Sequence, residues 1–243
     1  MFGTLPDYYA ILDYYQNCRG NPLAIAQFEE EKMKTTSFDR MGGLMAILAA
    51  LAGFLYAVSF VVLKNTLLYS LFLTLLGFFA FAALVAVYDR LQKVDAAYAL
   101  LALLFGLVGA AGTAIHGAYD LSNAINPPAN LPAGVMDLPS QVDPRGLLTF
   151  GFMGLGLLIF SWLLTRSADF PKTLGYLGYL SAILFIVIYL ARLIVLNPTN
   201  PILLVPVLLN GFIVSPLFYL WLGLALRHEP VMQSGKMPMA QKA

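Results

Sequence analysis

Charged residues are scarce in this chain. Lys, Arg, Asp and Glu make up 11% of its 243 residues, whereas 60% of the residues are hydrophobic. A soluble domain carries about 25% charged residues, so this chain has too little polar surface to face water on all sides. Its long uncharged runs indicate a membrane protein. The net charge of +1 provides no field that would attract nucleic acid, and we expect no such partner.

Cysteine and histidine are also rare. A single cysteine, Cys18, excludes a disulfide within the chain. A zinc hydrolase needs three or four protein ligands, but the only histidines are His116 and His228, which we predict on opposite sides of the membrane. The same separation excludes a haem held by two histidines. Ligation of a haem or chlorophyll by His116 alone stays open, so the cofactor is unknown and no metal site is predicted.

Recognisable catalytic motifs are absent. The sequence contains no GxSxG, no P-loop, no Rossmann glycine pattern and no CxxC. His116 and Asp120 could exchange protons in principle, but no nucleophile or metal ligand stands beside them. We therefore predict no catalytic residue and favour a non-catalytic protein over an enzyme. A transporter is also disfavoured, because only the last span is interrupted near its middle, by Pro206, Gly211 and Pro216.

Six apolar runs are long enough to cross a membrane, since a span needs about 20 apolar residues. We predict an all-α, polytopic membrane protein with a six-transmembrane-helix bundle over residues 41–227. The predicted spans are Met41–Leu63, Leu67–Tyr88, Ala96–Tyr119, Gly146–Leu164, Leu174–Val195 and Ile202–Leu226.

The positions of Lys and Arg predict the orientation, because cytoplasmic loops carry an excess of these residues. The segments on one side of the predicted spans hold eleven of them, and those on the other side hold only Lys64 and Arg145. Both termini should therefore lie in the cytoplasm, with the chain in the bacterial inner membrane. No basic start followed by an apolar core is visible in residues 1–40, so the first span should act as the targeting signal. Residues 228–243 should form a flexible cytoplasmic tail.

Residues 1–40 are predicted to form an amphipathic arm. The stretch "LPDYYAILDYYQN" places tyrosines and aliphatic residues at helical spacing, and "NPLAIAQFEEEKMK" opens with a helix-capping Asn21 followed by Pro22. We expect two short amphipathic helices. They would either dock a partner subunit in the cytoplasm or lie in the headgroup layer as an anchor.

The polar residues at the outer end of the third span form the candidate pocket. His116, Tyr119 and Asp120 share one helix face. From Asp95 to His116, and from Lys172 to Arg192, the helix rise gives about 30 Å in each case, so His116 and Arg192 should lie at one depth. The full set, under a proline-rich outer loop at 121–145, is His116, Tyr119, Asp120, Tyr189, Arg192 and Asn210.

Two interpretations of this set are open. In the first, the residues line an outward-facing pocket in which Asp120 pairs with Arg192. In the second, they are interfacial residues: Arg192 extends to the headgroups, while His116 and Asp120 face water. The glycines below them, at 106, 109 and 112, should let a neighbouring helix approach closely.

The stretch "FGFMGLGLLIFSWLLTRSADFPKTLGYLGYLSAILFIVIYL" joins two spans through a short basic turn with a proline. It resembles the fourth and fifth spans of a large bacterial family of six-helix integral membrane proteins of unknown function, mainly over residues 150–190. The resemblance implies a six-helix bundle and no particular activity or cofactor. The most favoured function is an accessory or binding subunit of a membrane assembly. The alternative is a protein whose pocket binds a lipid, a quinone or another small molecule.

Overall fold

The computed structural model describes residues 37–128, 141–195, 197 and 200–227. Six of its helices are long and apolar enough to cross a membrane, and the described residues contain no strand. The chain is thus an all-α, multi-pass membrane protein, as the sequence predicted. The helices are α1 Ser37–Val62, α2 Thr66–Leu91, α3 Ala96–Ile125, α4 Leu147–Arg166, α5 Lys172–Ile194 and α6 Pro201–Arg227.

Polar residues fix where several helices begin. The first amide groups of a helix have no partner within it, and a side-chain oxygen just before the helix can accept from them. Asn65 accepts from the amide of Leu68 at 3.0 Å before α2, and Asn200 accepts from that of Ile202 at 3.0 Å before α6. Asp95 accepts from two amides at the start of α3. Lys64, at a φ of 49°, makes the sharp turn between α1 and α2.

The six helices alternate in direction, so the bundle has two ends. The Asp39 end is where α1 starts and α6 finishes. The His116 end is where α1 meets α2, α3 meets α4 and α5 meets α6. Helix α3 continues to Ile125 and so takes up part of the range 121–145 that the sequence assigned to a loop. Residues 37–40 belong to α1, while the arm up to residue 36, the loop at 129–140 and the tail at 228–243 lie outside the described residues.

Glycines bring the helix backbones into close contact. A Cβ atom added to Gly77 of α2 would lie 2.5 Å from the backbone nitrogen of Ala114 in α3. One added to Gly109 of α3 would lie 2.7 Å from the backbone nitrogen of Met153 in α4. Small residues allow such packing in a membrane, where apolar faces gain little by leaving lipid. The close approach predicted along α3 is confirmed.

Helices α1 and α6 touch at the Asp39 end and diverge towards the His116 end. A Cβ atom on Gly223 would lie 2.5 Å from the carbonyl oxygen of Gly43, and Gly211, midway along α6, still lies against Ala57. Beyond that level the first half of α6 packs mainly on α5 and makes little contact with α1. The two helices therefore form a cleft that widens towards the His116 end, and we call it the α1–α6 cleft.

An ion pair lies inside the Asp39 end of the bundle. The Arg90 Nε atom is 3.4 Å from Asp39 Oδ1, and Arg90 Nη2 donates to the carbonyl oxygen of Leu226 at 2.8 Å. Both charged residues are buried, and the guanidinium lies 5.9 Å from the centre of the Phe170 ring. Because these contacts join α1, α2 and the last turn of α6, they hold this end of the bundle together.

Candidate functional site

His116 is held inside the bundle by a carboxylate one turn further along α3. Its Nε2 atom lies 3.1 Å from Asp120 Oδ2, and the histidine is only 6% exposed. The neighbouring Gly117 packs against Thr74, which is 8 residues beyond Thr66, the start of α2, or about 12 Å along the axis. His116 is therefore buried well below the start of α2. The interfacial interpretation required His116 to face water at the edge of the bundle, and it does not.

Arg192 is buried beside the same region, at the end of α5. Its side chain is 6% exposed overall, Nη2 donates to the carbonyl oxygen of Pro144 at 3.3 Å, and the guanidinium lies 5.3 Å from the centre of the Phe150 ring. Among the described residues, the ion pairs are those of Arg90 with Asp39 and of His116 with Asp120. The pair that the sequence suggested between Asp120 and Arg192 is thus not formed.

The segment from Asp143 to Arg145 clamps two helix ends. Asp143 Oδ2 accepts from the amide of Thr149 at 2.8 Å, at the start of α4. Arg145 Nη1 donates to the last carbonyl oxygens of α5, those of Arg192 and Leu193, at 3.0 Å each. A cation placed there satisfies acceptors that have no partner within the helix. The sequence analysis missed this clamp, although "DPRG" directly before an apolar span was the available signal.

A cavity lies between the helices next to His116. Its volume is about 90 Å³, and all six helices contribute to its wall. A second hollow of about 60 Å³ overlaps it towards the His116 end and adds Tyr69 and Arg192 to the wall. His116 lines both. Most of the lining is apolar or aromatic, as in pockets that bind small molecules. The residues common to both hollows are Tyr56, Phe60, Leu73, His116, Phe150, Ile188 and Val207.

Asn210 is the polar residue at the deeper level of the cavity. It is 3% exposed, and its Oδ1 accepts from the Ser181 hydroxyl at 3.1 Å. The structure therefore brings three of the six sequence candidates to the two overlapping hollows. His116 lines both, Asn210 lines the first and Arg192 the second, and Asp120 contacts the histidine.

The two remaining candidates lie away from the cavity wall. Tyr119 is 38% exposed, and its hydroxyl donates to Gln141 Oε1 at 2.9 Å. Tyr189 packs against Gly151 of α4. The tyrosines that do line the cavity are Tyr56 and Tyr69, from the first hairpin. The sequence analysis missed them, and the signal was their position on either side of the tight "KNT" turn, which puts both near the His116 end.

Three segments of wide, π-type helix border the cavity. They are Val58–Val62 at the end of α1, Leu147–Phe152 at the start of α4 and Asn210–Val214 within α6. Each contributes residues to the wall, namely Phe60 and Val61, Thr149 and Phe150, and Asn210, Gly211 and Phe212. Such segments are uncommon and are found frequently at functional sites. Every π segment of the described chain is at this one cavity.

Three residues that line the two hollows carry a buried polar atom with no hydrogen-bond partner among the described residues. The atoms are His116 Nδ1, Thr149 Oγ1 and Arg192 Nε. A buried polar group without a partner costs about 1–3 kcal/mol, so native proteins normally satisfy it with protein, water or a ligand. The described residues hold no group of three His, Cys, Asp or Glu side chains that could bind a metal ion. Polar side chains that line the first hollow include His116, Thr149 and Asn210.

Comparison with known proteins gives no relative from which a function could be transferred. No family model matches the chain, and neither a curated protein nor a solved structure matches it. The fold and the cavity therefore define the class: a multi-pass membrane protein made of six apolar helices.

Proposed function

We propose that this is a non-catalytic binding protein of the membrane whose six-helix bundle holds one amphipathic small molecule in the cavity beside His116. The observation that carries the proposal is a largely apolar cavity that all six helices line and that the polar residues His116 and Asn210 border. An apolar body would replace lipid or empty space along the wall. A polar head would lie beside His116, which lines both hollows.

The proposal includes the placement of the protein in the bacterial inner membrane with its termini in the cytoplasm. It is supported by the eleven Lys and Arg residues assigned to one side of the spans, against Lys64 and Arg145 on the other. The Asp39 end is then cytoplasmic, and the polar end of the cavity lies towards the outer leaflet.

The role of an accessory subunit in a larger assembly stays a prediction of the sequence. It depends on the amphipathic arm, and residues 1–36 lie outside the described part of the chain. Binding of a small molecule and membership of an assembly are compatible, because the cavity lies inside the bundle and the arm precedes α1.

The experiment purifies the protein in a mild detergent and measures bound small molecules by native mass spectrometry. Val207 is on the wall of both hollows, so Val207→Trp would fill the cavity. Val205 is on the same helix but 58% exposed, so Val205→Trp is the matched control. We expect one bound amphipathic molecule per chain in the wild type and in V205W, and none in V207W.

The thermal midpoint of each variant is recorded alongside the mass. A folded V207W that retains the same molecule at the same occupancy would contradict the proposal. So would a wild-type chain that carries no bound molecule.

A further inference from the structure

We propose that the groove between α5 and α6 at the Asp39 end binds one anionic phospholipid, with an acyl chain in the groove and the phosphate beside Lys172 and Arg227. The groove lies on the outer surface of the bundle, away from the cavity beside His116, so this inference does not depend on the proposed function. It follows from the shape of the groove, from its length along the helices and from the charges at its end.

The course of α6 creates the groove. Towards the Asp39 end, α6 packs mainly on α1 and makes little contact with α5. The two helices still meet at Gly178 of α5, where an added Cβ atom would lie 2.9 Å from the ring of Phe218. The space beside this contact has a volume of about 660 Å³, and its wall is formed by side chains from residues 173–180 of α5 and 217–224 of α6.

The groove is apolar and open to the surroundings of the bundle. Leu180 and Leu224, from its two walls, are 44% and 46% exposed. The polar atoms of the wall side chains belong to Thr173, Tyr176 and Trp221, and tyrosine and tryptophan are enriched where a membrane meets water. The groove therefore offers an apolar surface to a hydrocarbon chain that arrives from the bilayer.

The length of the groove favours a lipid over another helix. From Thr173 to Leu180 the helix rises by about 10 Å, which is a third of a hydrocarbon core of about 30 Å. A partner helix or a second copy of the chain crosses both leaflets, so it would need a matching face along the whole span. An acyl chain attached to a head group at the Asp39 end stays within one leaflet, as the groove does.

Two cations stand at the end of the groove. Lys172 is the first residue of α5 and Arg227 is the last residue of α6. Both are exposed, and neither forms an ion pair with another described residue. No described side chain caps the start of α5, so its first amide groups are also open to an anion. Because Asp169 is the one acidic residue in the turn before α5, this end of the groove is positive and complements a phosphate.

The experiment compares two lipids that share their acyl chains and differ in charge, phosphatidylglycerol and phosphatidylcholine. The full chain is purified in detergent, depleted of lipid and titrated with each lipid, and the affinity of the first bound lipid is measured by native mass spectrometry. A basic residue near a lipid surface contributes about a fivefold change in affinity for an anionic lipid. We therefore expect phosphatidylglycerol to bind at least about fivefold more tightly than phosphatidylcholine.

Two pairs of variants locate the site. Leu180→Trp fills the groove, and Ile183→Trp is the matched control, because Ile183 is 51% exposed on the same helix but does not line the groove. We expect L180W to lose the bound lipid and I183W to retain it. Lys172→Gln and Arg227→Gln should each weaken phosphatidylglycerol about fivefold and leave phosphatidylcholine unchanged. Arg166→Gln, at the exposed end of α4, should change neither affinity.

Thermal midpoints are recorded for all variants, and L180W should remain as stable as I183W, because both positions are exposed. Equal affinities for the two lipids would overturn the proposal, as would a folded L180W that binds phosphatidylglycerol like the wild type. An effect of R166Q as large as that of K172Q would show that the positive charge acts without a site, which would also overturn it. If the wild type is a dimer that L180W converts to a monomer, the groove is a contact between copies and the lipid proposal fails.

Discussion

At the scale of single residues, the site depends on which partner each buried charge has. The structure pairs Asp120 with His116 at 3.1 Å and sets Arg192 against Pro144 and the ring of Phe150. Helical spacing alone could place His116 and Asp120 on one face, because residues four apart lie next to each other. The neighbours of Arg192 come from the segment before α4 and from the first turn of α4, which no periodicity within α5 reveals. The depth of His116 also depended on contacts with α2 that the sequence does not display.

This pairing predicts the result of two double-mutant cycles. Asp120→Asn combined with His116→Gln should show a coupling free energy of about 1 kcal/mol, because the two side chains are in contact. Asp120→Asn combined with Arg192→Gln should be additive within about 0.5 kcal/mol. The measurement is unfolding in detergent by heat or denaturant, with each single variant included. An equal or larger coupling between Asp120 and Arg192 would show that these two charges are the real pair.

At the scale of helices, the π segments shape the cavity. A π segment within an α-helix holds one extra residue in a widened turn. The turns before and after it therefore keep the orientation they would have if that residue were absent. In α6 this segment begins at Asn210, the residue that accepts from Ser181 of α5. The extra residue therefore turns a polar side chain towards the cavity. It also leaves the second half of α6 in register with α1.

Deletion of Gly211 should remove the bulge of α6 without disturbing the packing on either side. We expect the variant to stay folded, because Leu203 and Phe218 retain their orientation, and to lose its bound molecule as the wall closes. Deletion of Leu220 is the control: it lies in the regular α-helical part of α6, so it should shift the register and lower the thermal midpoint strongly. Equal destabilisation by both deletions would show that Asn210–Val214 does not hold an insertion of this kind.

At the scale of the whole molecule, the number of spans and their order followed from the sequence. A long apolar run has few alternatives to crossing the bilayer. The sequence did not show which face of each helix points into the bundle. Helices that are apolar all round give no stripe to distinguish the side facing lipid from the side facing the bundle. Tyr56 and Tyr69 were missed for this reason, and Tyr119 and Tyr189 were assigned to a pocket that they do not line. Burial of the polar Asn210 was easier to foresee, because an amide facing lipid is costly.

The distribution of Lys and Arg predicts how the molecule is oriented in the membrane. In a variant in which Cys18 is replaced, cysteines introduced at 130 and 140 should react in intact cells with a thiol reagent that does not cross membranes. A cysteine at 235 should react only after the cells are opened. Labelling in the opposite order would place the Asp39 end outside. Equal labelling at all three positions would indicate a mixed population of orientations.

The divergence of α1 and α6 determines which concentration of the bound molecule sets the occupancy of the cavity. The cavity wall along the cleft is formed by Phe60 of α1 and by Leu204 and Val207 of α6, and these helices turn their exposed faces towards lipid. A molecule that leaves through the α1–α6 cleft enters the lipid bilayer, so its return depends on its mole fraction among the lipids. Its return does not depend on its concentration in water. In detergent solution, adding micelles at a constant total amount of the bound molecule should therefore lower the fraction of protein that carries it, because the molecule is diluted among the micelles. This should happen even when the volume of buffer is unchanged.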